Sequence, residues 1–194
     1  MKQVTKLAVI IAAAVAMMGY QAKAMDVVWS AQEGTFVTDG SGVGLPIGDL
    51  IILGMDTANT VAGFSTFATG AVGDNLEIAG TFADDNNITG QSAFLGQPIY
   101  IEVYNATTSG AASDVALLKS SSWAFPAADT GGVAIDLNDN GLVIVTGATY
   151  VTGGVTAPTD IVGGNAIELV PEPSSIALVV MGLLGGIAMI RRRS

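Results

Sequence analysis

The chain has 194 residues, a net charge of −10 at pH 7, no histidine and no cysteine. Those absences exclude Ser-His-Asp and Cys-His catalysis, histidine- or thiolate-bound metals, and disulfides. Between Met25 and Leu169 the sole basic residue is Lys119, set against sixteen acidic ones, so the charge repels nucleic acid and anionic lipid and makes both poor partners, while divalent cations and neutral glycans stay open.

Residues 1–24 read as a secretory signal peptide. Lys2 and Lys6 form its basic region, Leu7 to Met18 its apolar core, and Ala22-Lys23-Ala24 a small-residue cleavage site, with cleavage expected after Ala24. Residues 25–169 then form the exported domain. Glycine, threonine, valine and alanine dominate there and long runs of helix-forming Glu, Lys, Leu and Arg are missing, which favours strands.

Val27 to Ser30 opens the domain, Gly34 to Thr38 follows, and Asp39-Gly40-Ser41-Gly42 is a turn. Asp49 to Met55 is an apolar run short enough to be a strand buried on both faces, and Asp56 to Gly73 reads as a helical turn or an irregular crossover. Leu76 to Phe82 alternates with a period of two and is expected as a half-buried strand, with Asp84-Asp85-Asn86-Asn87 as a polar loop. Pro98 to Tyr104 is the clearest strand, Val115 to Lys119 another, and Trp123, Phe125 and Pro126 supply an aromatic plug. Gly132 to Leu137 and Leu142 to Val151 flank Asn138-Asp139-Asn140-Gly141, which reads as a tight hairpin turn. Thr152 to Gly164 is a loop and Asn165 to Leu169 a last strand. Roughly eight to ten short strands at turn spacings of about 8–12 residues predict an all-β domain, an antiparallel β-sandwich or a barrel-like sheet.

Few groups in this domain could do chemistry. Lys119 beside Ser120, Ser121 and Ser122 is the one candidate lysine base, and paired carboxylates could hydrolyse a glycoside only at a fixed separation. Asp136, Asn138, Asn140 and Gly141 match the first half of a calcium loop, in which alternate oxygens face one cation. Gly147 stands where the loop's closing glutamate would be, so a calcium site needs remote acids such as Asp84 and Asp85. No other cofactor is expected.

The tail, residues 170–194, differs in kind. Pro171 and Pro173 around Glu172 hold the chain extended; Ile176 to Ile190 is a run of fifteen uncharged residues, and Arg191, Arg192 and Arg193 close it. Ser174 and Ser175 extend the uncharged run to seventeen residues, and as a helix it is roughly 25 Å long against a hydrocarbon core of about 30 Å. It reads as one short C-terminal transmembrane helix whose arginines snorkel and hold the C-terminus in the cytoplasm. These residues closely resemble the PEP-CTERM sorting signal, a Pro-Glu-Pro motif, a short transmembrane helix and a basic cluster in that order.

The resemblance implies recognition by an exosortase, a membrane-embedded processing enzyme of Gram-negative bacteria, with transient anchoring in the inner membrane before release to the cell surface or extracellular matrix. It also implies association with exopolysaccharide and biofilm matrix. The expectation is a non-enzymatic structural or adhesive protein that contacts polysaccharide through Tyr100, Tyr104 or Trp123 where these rings are exposed, core packing being the other reading of them; the alternatives are a calcium- or glycan-binding module and a carboxylate-dependent hydrolase.

Overall fold

The structure, a computed structural model, describes residues 24–31, 35–128, 131–152 and 165–170. Eleven strands form among the described residues: β1 Ala24–Ala31, β2 Thr35–Thr38, β3 Leu50–Asp56, β4 Phe64–Ala71, β5 Phe82–Thr89, β6 Pro98–Tyr104, β7 Val115–Ala124, β8 Gly132–Asp136, β9 Leu142–Thr146, β10 Ala148–Val151 and β11 Asn165–Leu169. They make a five-stranded sheet in the order β4-β3-β6-β7-β9 and two three-stranded sheets, β5-β1-β8 and β10-β11-β2. The only helical pieces among these residues are short 3₁₀ turns at Val61–Gly63 and Ser92–Phe94, and no described helix is long and apolar enough to cross a membrane. The domain is all-β, as its composition predicts.

Alternation along the strands sends one set of side chains from each sheet into a single apolar cluster. Met25, Val27 and Trp29 come from β1, Ile51 and Leu53 from β3, Ile99, Ile101 and Val103 from β6, and Ile167 and Leu169 from β11. Phe67, Phe94 and Phe125 meet within it at ring separations of 4.9 to 5.3 Å, so the aromatic plug expected around residue 125 is part of the core. β6 is buried on its other face as well, where Tyr100, Glu102 and Tyr104 are covered and Asn59 accepts the Tyr100 hydroxyl at 2.9 Å.

Several expectations need correction, among them Asp56 to Gly73, where the 3₁₀ turn at Val61–Gly63 leads into strand β4. The arrangement is not purely antiparallel, since β8 runs parallel to β1 and β11 parallel to β2. Each pair joins segments more than a hundred residues apart, so no tight turn dictates relative direction. Leu76 to Phe82 is not a strand up to Phe82, because Asn75 and Glu77 adopt φ of 59° and 54° and Glu77 N–H donates to the Gly73 carbonyl at 2.7 Å. Asp84 to Asn87 is not a loop but the middle of β5, an edge strand whose Asp85 and Asn87 face solvent while Phe82 is buried. Val115 to Lys119 is only the first half of β7, its serine-rich second half being held by the turn described below.

Glycine does specific work at two places. Gly147 has φ +75°, and a side chain there would collide with the Val115 carbonyl, so the predicted 142–151 run is broken into β9 and β10 lying in different sheets. At Gly54, where the β3–β4 register shifts, a side chain would strike the Ser65 carbonyl and the Phe64 ring.

Candidate functional site

The Asn138–Gly141 turn does not close a hairpin. β8 lies beside β1 and β9 beside β7, so the turn carries the chain from one sheet to another. Gly141 is absent from the positive-φ residues that include Gly147. Its lack of a side chain serves space instead, since a Cβ there would come within 2.7 Å of the Ser120 hydroxyl and 3.4 Å of the Asp139 carboxylate.

Asp139 organises the turn. Its Oδ1 accepts the Gly141 N–H at 2.8 Å, its Oδ2 accepts the Ser120 hydroxyl at 2.8 Å, and the Ser122 hydroxyl donates to the same oxygen. These donors, Ser122 foremost, hold the carboxyl below the usual aspartate range, so it is ionised at neutral pH. Sequence spacing singled out the residues on either side. Asp136 Oδ1 accepts the backbone N–H of Asn138 at 2.9 Å, and Asn138 Oδ1 accepts the hydroxyl of Thr35, on β2, at 3.3 Å, so both oxygens already have protein donors.

Asp136 aligns with Ser30, and Ser30 in turn with Ala83 of β5. Asp85 therefore lies on the same sheet face as Asp136 but two strand spacings across and two residues along, about 12 Å away, and Asp84 lies on the opposite face. Asp85 pairs with Asp26 instead, and the hydrogen bond and charge of Asp26 raise its pKa. Among the described residues no group of three or more acidic side chains is placed to hold a metal ion.

Beside this turn is an open cleft of about 360 Å³ lined by Asn138, Asp139, Asn140, Leu142, Ile144, Tyr150 and Asn165. Leu142 and Ile144 of β9 give it an apolar wall, the three asparagines supply amide donors and acceptors, and Tyr150 of β10 is 44% exposed. Tyr100, Tyr104 and Trp123, weighed from the sequence as either glycan contacts or core, are only 3 to 6% exposed and belong to packed interior; among the described residues the exposed aromatic is Tyr150. The signal that points to it is its place nine residues after an Asn-rich turn, which becomes informative once Gly147 folds β10 back beside that turn.

Lys119 and Ser120 face opposite sides of β7. Lys119 Nζ donates to Asn59 Oδ1 at 3.1 Å and sits 5.5 Å over the Tyr100 ring, whereas Ser120 turns to Asp139. Lys119 and Ser120 therefore do not meet.

At the termini, Ala24 begins β1, aligned with Thr89, and Met25 is 1% exposed. Ala22 of the leader, the 153–164 part of the predicted loop, and the tail with Pro171, Glu172, Pro173, Arg191, Arg192 and Arg193 lie outside the described residues. Val170, the last described residue, donates its N–H to the Gly147 carbonyl at 3.0 Å.

Comparison with known families identifies the PEP-CTERM protein-sorting motif over residues 169–193. The motif implies an exported protein that an exosortase sorts and processes at the membrane. Neither the curated proteins nor the solved structures gave a match to this chain.

Proposed function

We propose that this exosortase-sorted chain is a structural or adhesive protein of an exopolysaccharide or biofilm matrix, not an enzyme, and that it holds polysaccharide at the Tyr150 cleft. In this reading residues 1–24 direct export and are removed. The 170–194 tail spans the inner membrane with its arginines in the cytoplasm until the exosortase acts at Pro171-Glu172-Pro173, and the domain then passes to the cell surface or matrix.

The observation that carries the ligand assignment is the lining of the cleft. An exposed tyrosine ring beside an apolar wall suits the C–H face of a sugar, three amides suit its hydroxyls, and the one charged group, Asp139, is already committed to Ser120, Ser122 and Gly141. Such a lining favours a neutral, hydroxyl-rich chain. The strongly acidic exported domain fits a neutral glycan better than an acidic one.

Two experiments test the two halves. Replacing Pro171 and Pro173 with alanine should leave the protein full-length and membrane-bound; unchanged processing and release would refute the sorting step. In binding to the producing cell's purified exopolysaccharide, Tyr150→Ala should cost roughly tenfold or more, the loss expected when an anchor aromatic worth about 1.4 kcal/mol is truncated. A variant that melts like the parent and binds as well would remove the cleft from the proposal.

A further inference from the structure

The exit of the tail from the fold constrains where the domain can stand. β11 is the central strand of its sheet, between β10 and β2, and its last residue, Leu169, is 1% exposed and is also the first residue of the sorting motif. Folded core therefore runs into the motif without a linker. From Leu169 to Ile176, where the apolar run begins, the seven intervening peptide steps reach at most about 25 Å when fully extended.

Direction follows from pairing. β11 is parallel to β2, with Glu168 opposite Thr38, so the chain leaves the domain at the end where β2 turns at Asp39–Val43. On the other side of β2 the chain returns, Thr38 bridging Gly44, which places Val43 and Val170 about two strand spacings apart, ~10 Å. The Ala79 carbonyl abuts Gly44 and brings Ile78 to the same end. Val43, Val170 and Ile78 are 46%, 41% and 37% exposed. Asp39 stiffens the turn, its Oδ1 accepting the Ser41 N–H, the Ser41 hydroxyl and the Val43 N–H at 2.7 to 3.1 Å.

We propose that this end, with Val43, Ile78 and Val170 at its tip, rests on the lipid surface of the membrane that holds the unprocessed tail. The inference depends on the membrane-spanning reading of residues 176–190 and goes beyond it, because a tail can anchor a domain that stands clear of the bilayer. Contact here is apolar insertion and not attraction to phosphate, since Lys119 is the sole basic residue of the exported domain. Zwitterionic lipid suffices, and the contact resists salt.

The absence of cysteine makes the test direct. Val43→Cys in the full chain, labelled with an environment-sensitive fluorophore and reconstituted in phosphatidylcholine vesicles containing brominated lipid, should show blue-shifted, quenched emission. Both signals should be lost when a twenty-residue Gly/Ser spacer is inserted between Val170 and Pro171. Emission that is the same at native spacing and with the spacer, in protein that floats with the vesicles, overturns the docking and leaves the anchor standing. Failure to float overturns the anchor itself and the docking with it. Quenching that appears only when the exosortase is co-reconstituted assigns the surface to a protein partner and also overturns the proposal.

Discussion

Removing the Asp139 carboxylate is the sharpest test of how the cleft is built. Asp139→Ala deletes an ionised acceptor that binds Ser120 Oγ, Ser122 Oγ and Gly141 N–H, and it leaves Ser120, which is 4% exposed, with Ser122 as its remaining side-chain partner. Hydrogen bonds to a charged group are worth about 1.5–3 kcal/mol when well buried. Asp139 is only half-buried, so solvent reduces each to roughly 1 kcal/mol, and sharing one carboxylate makes the three less than additive. The expected loss is about 2–3 kcal/mol, or a fall in Tm of about 8 °C for a domain of this size. Asp139→Asn keeps the shape without the charge and should lose about half as much.

The pH dependence of that gap is also fixed. Asp139 has its pKa lowered by folding from 3.8, so the folded state binds its proton less readily than the unfolded chain does. Its contribution is fully present above pH 3.8 and is lost as pH falls through the folded value. Thermal melts of parent and both variants at pH 7 and across the acid range would measure this. An alanine variant melting within about 2 °C of the parent at pH 7, or a gap that does not narrow in acid, refutes the assignment of Asp139 as the organiser of the turn.

Glu102 should behave oppositely. It is 2% exposed, accepts the Tyr104 hydroxyl at 2.6 Å through Oε2 and leaves Oε1 without a partner; burial, then the charge of Asp56, raise its pKa above 4.5. Its favourable contribution is full below pH 4.5 and lost as pH rises through the folded value, so Glu102→Gln should gain roughly 1 kcal/mol over the parent at pH 8 and nothing at pH 4, as read from urea melts. Phe125→Ala empties the meeting point of Phe67 and Phe94 and should cost about 3–5 kcal/mol in the same assay, with an unchanged m-value.

Some features were legible locally. Pro98 to Tyr104 reads as a strand because β-branched and aromatic residues fill it, and it is one. Asn165 to Leu169 is likewise a strand, and Asp39 to Gly42 is a turn because a short acidic side chain can cap the backbone N–H groups that follow it. The 142–151 run reads as one strand in the sequence but is divided by one φ at Gly147, and Asp84 to Asn87 reads as a loop because composition alone does not tell a polar loop from the solvent-facing edge of a sheet. Asp139 was passed over for its neighbours because the calcium-loop pattern weights alternate positions, while the serines that claim Asp139 lie on β7, nearly twenty residues earlier.

The sequence by itself determined the sorting signal and the class of fold. A sorting tail is read in linear order, as prolines, an apolar run and arginines, and strand-forming composition needs no partner to be recognised. Only the tertiary structure decided which strands pair, that β1 and β8 and β2 and β11 run parallel, that Tyr150 and not Tyr100 is exposed, and that the tail leaves from a central strand. Each of these depends on contacts between segments far apart in the chain, where burial on the second face of a strand and the direction of a neighbour are set by the whole packed domain and by no local pattern.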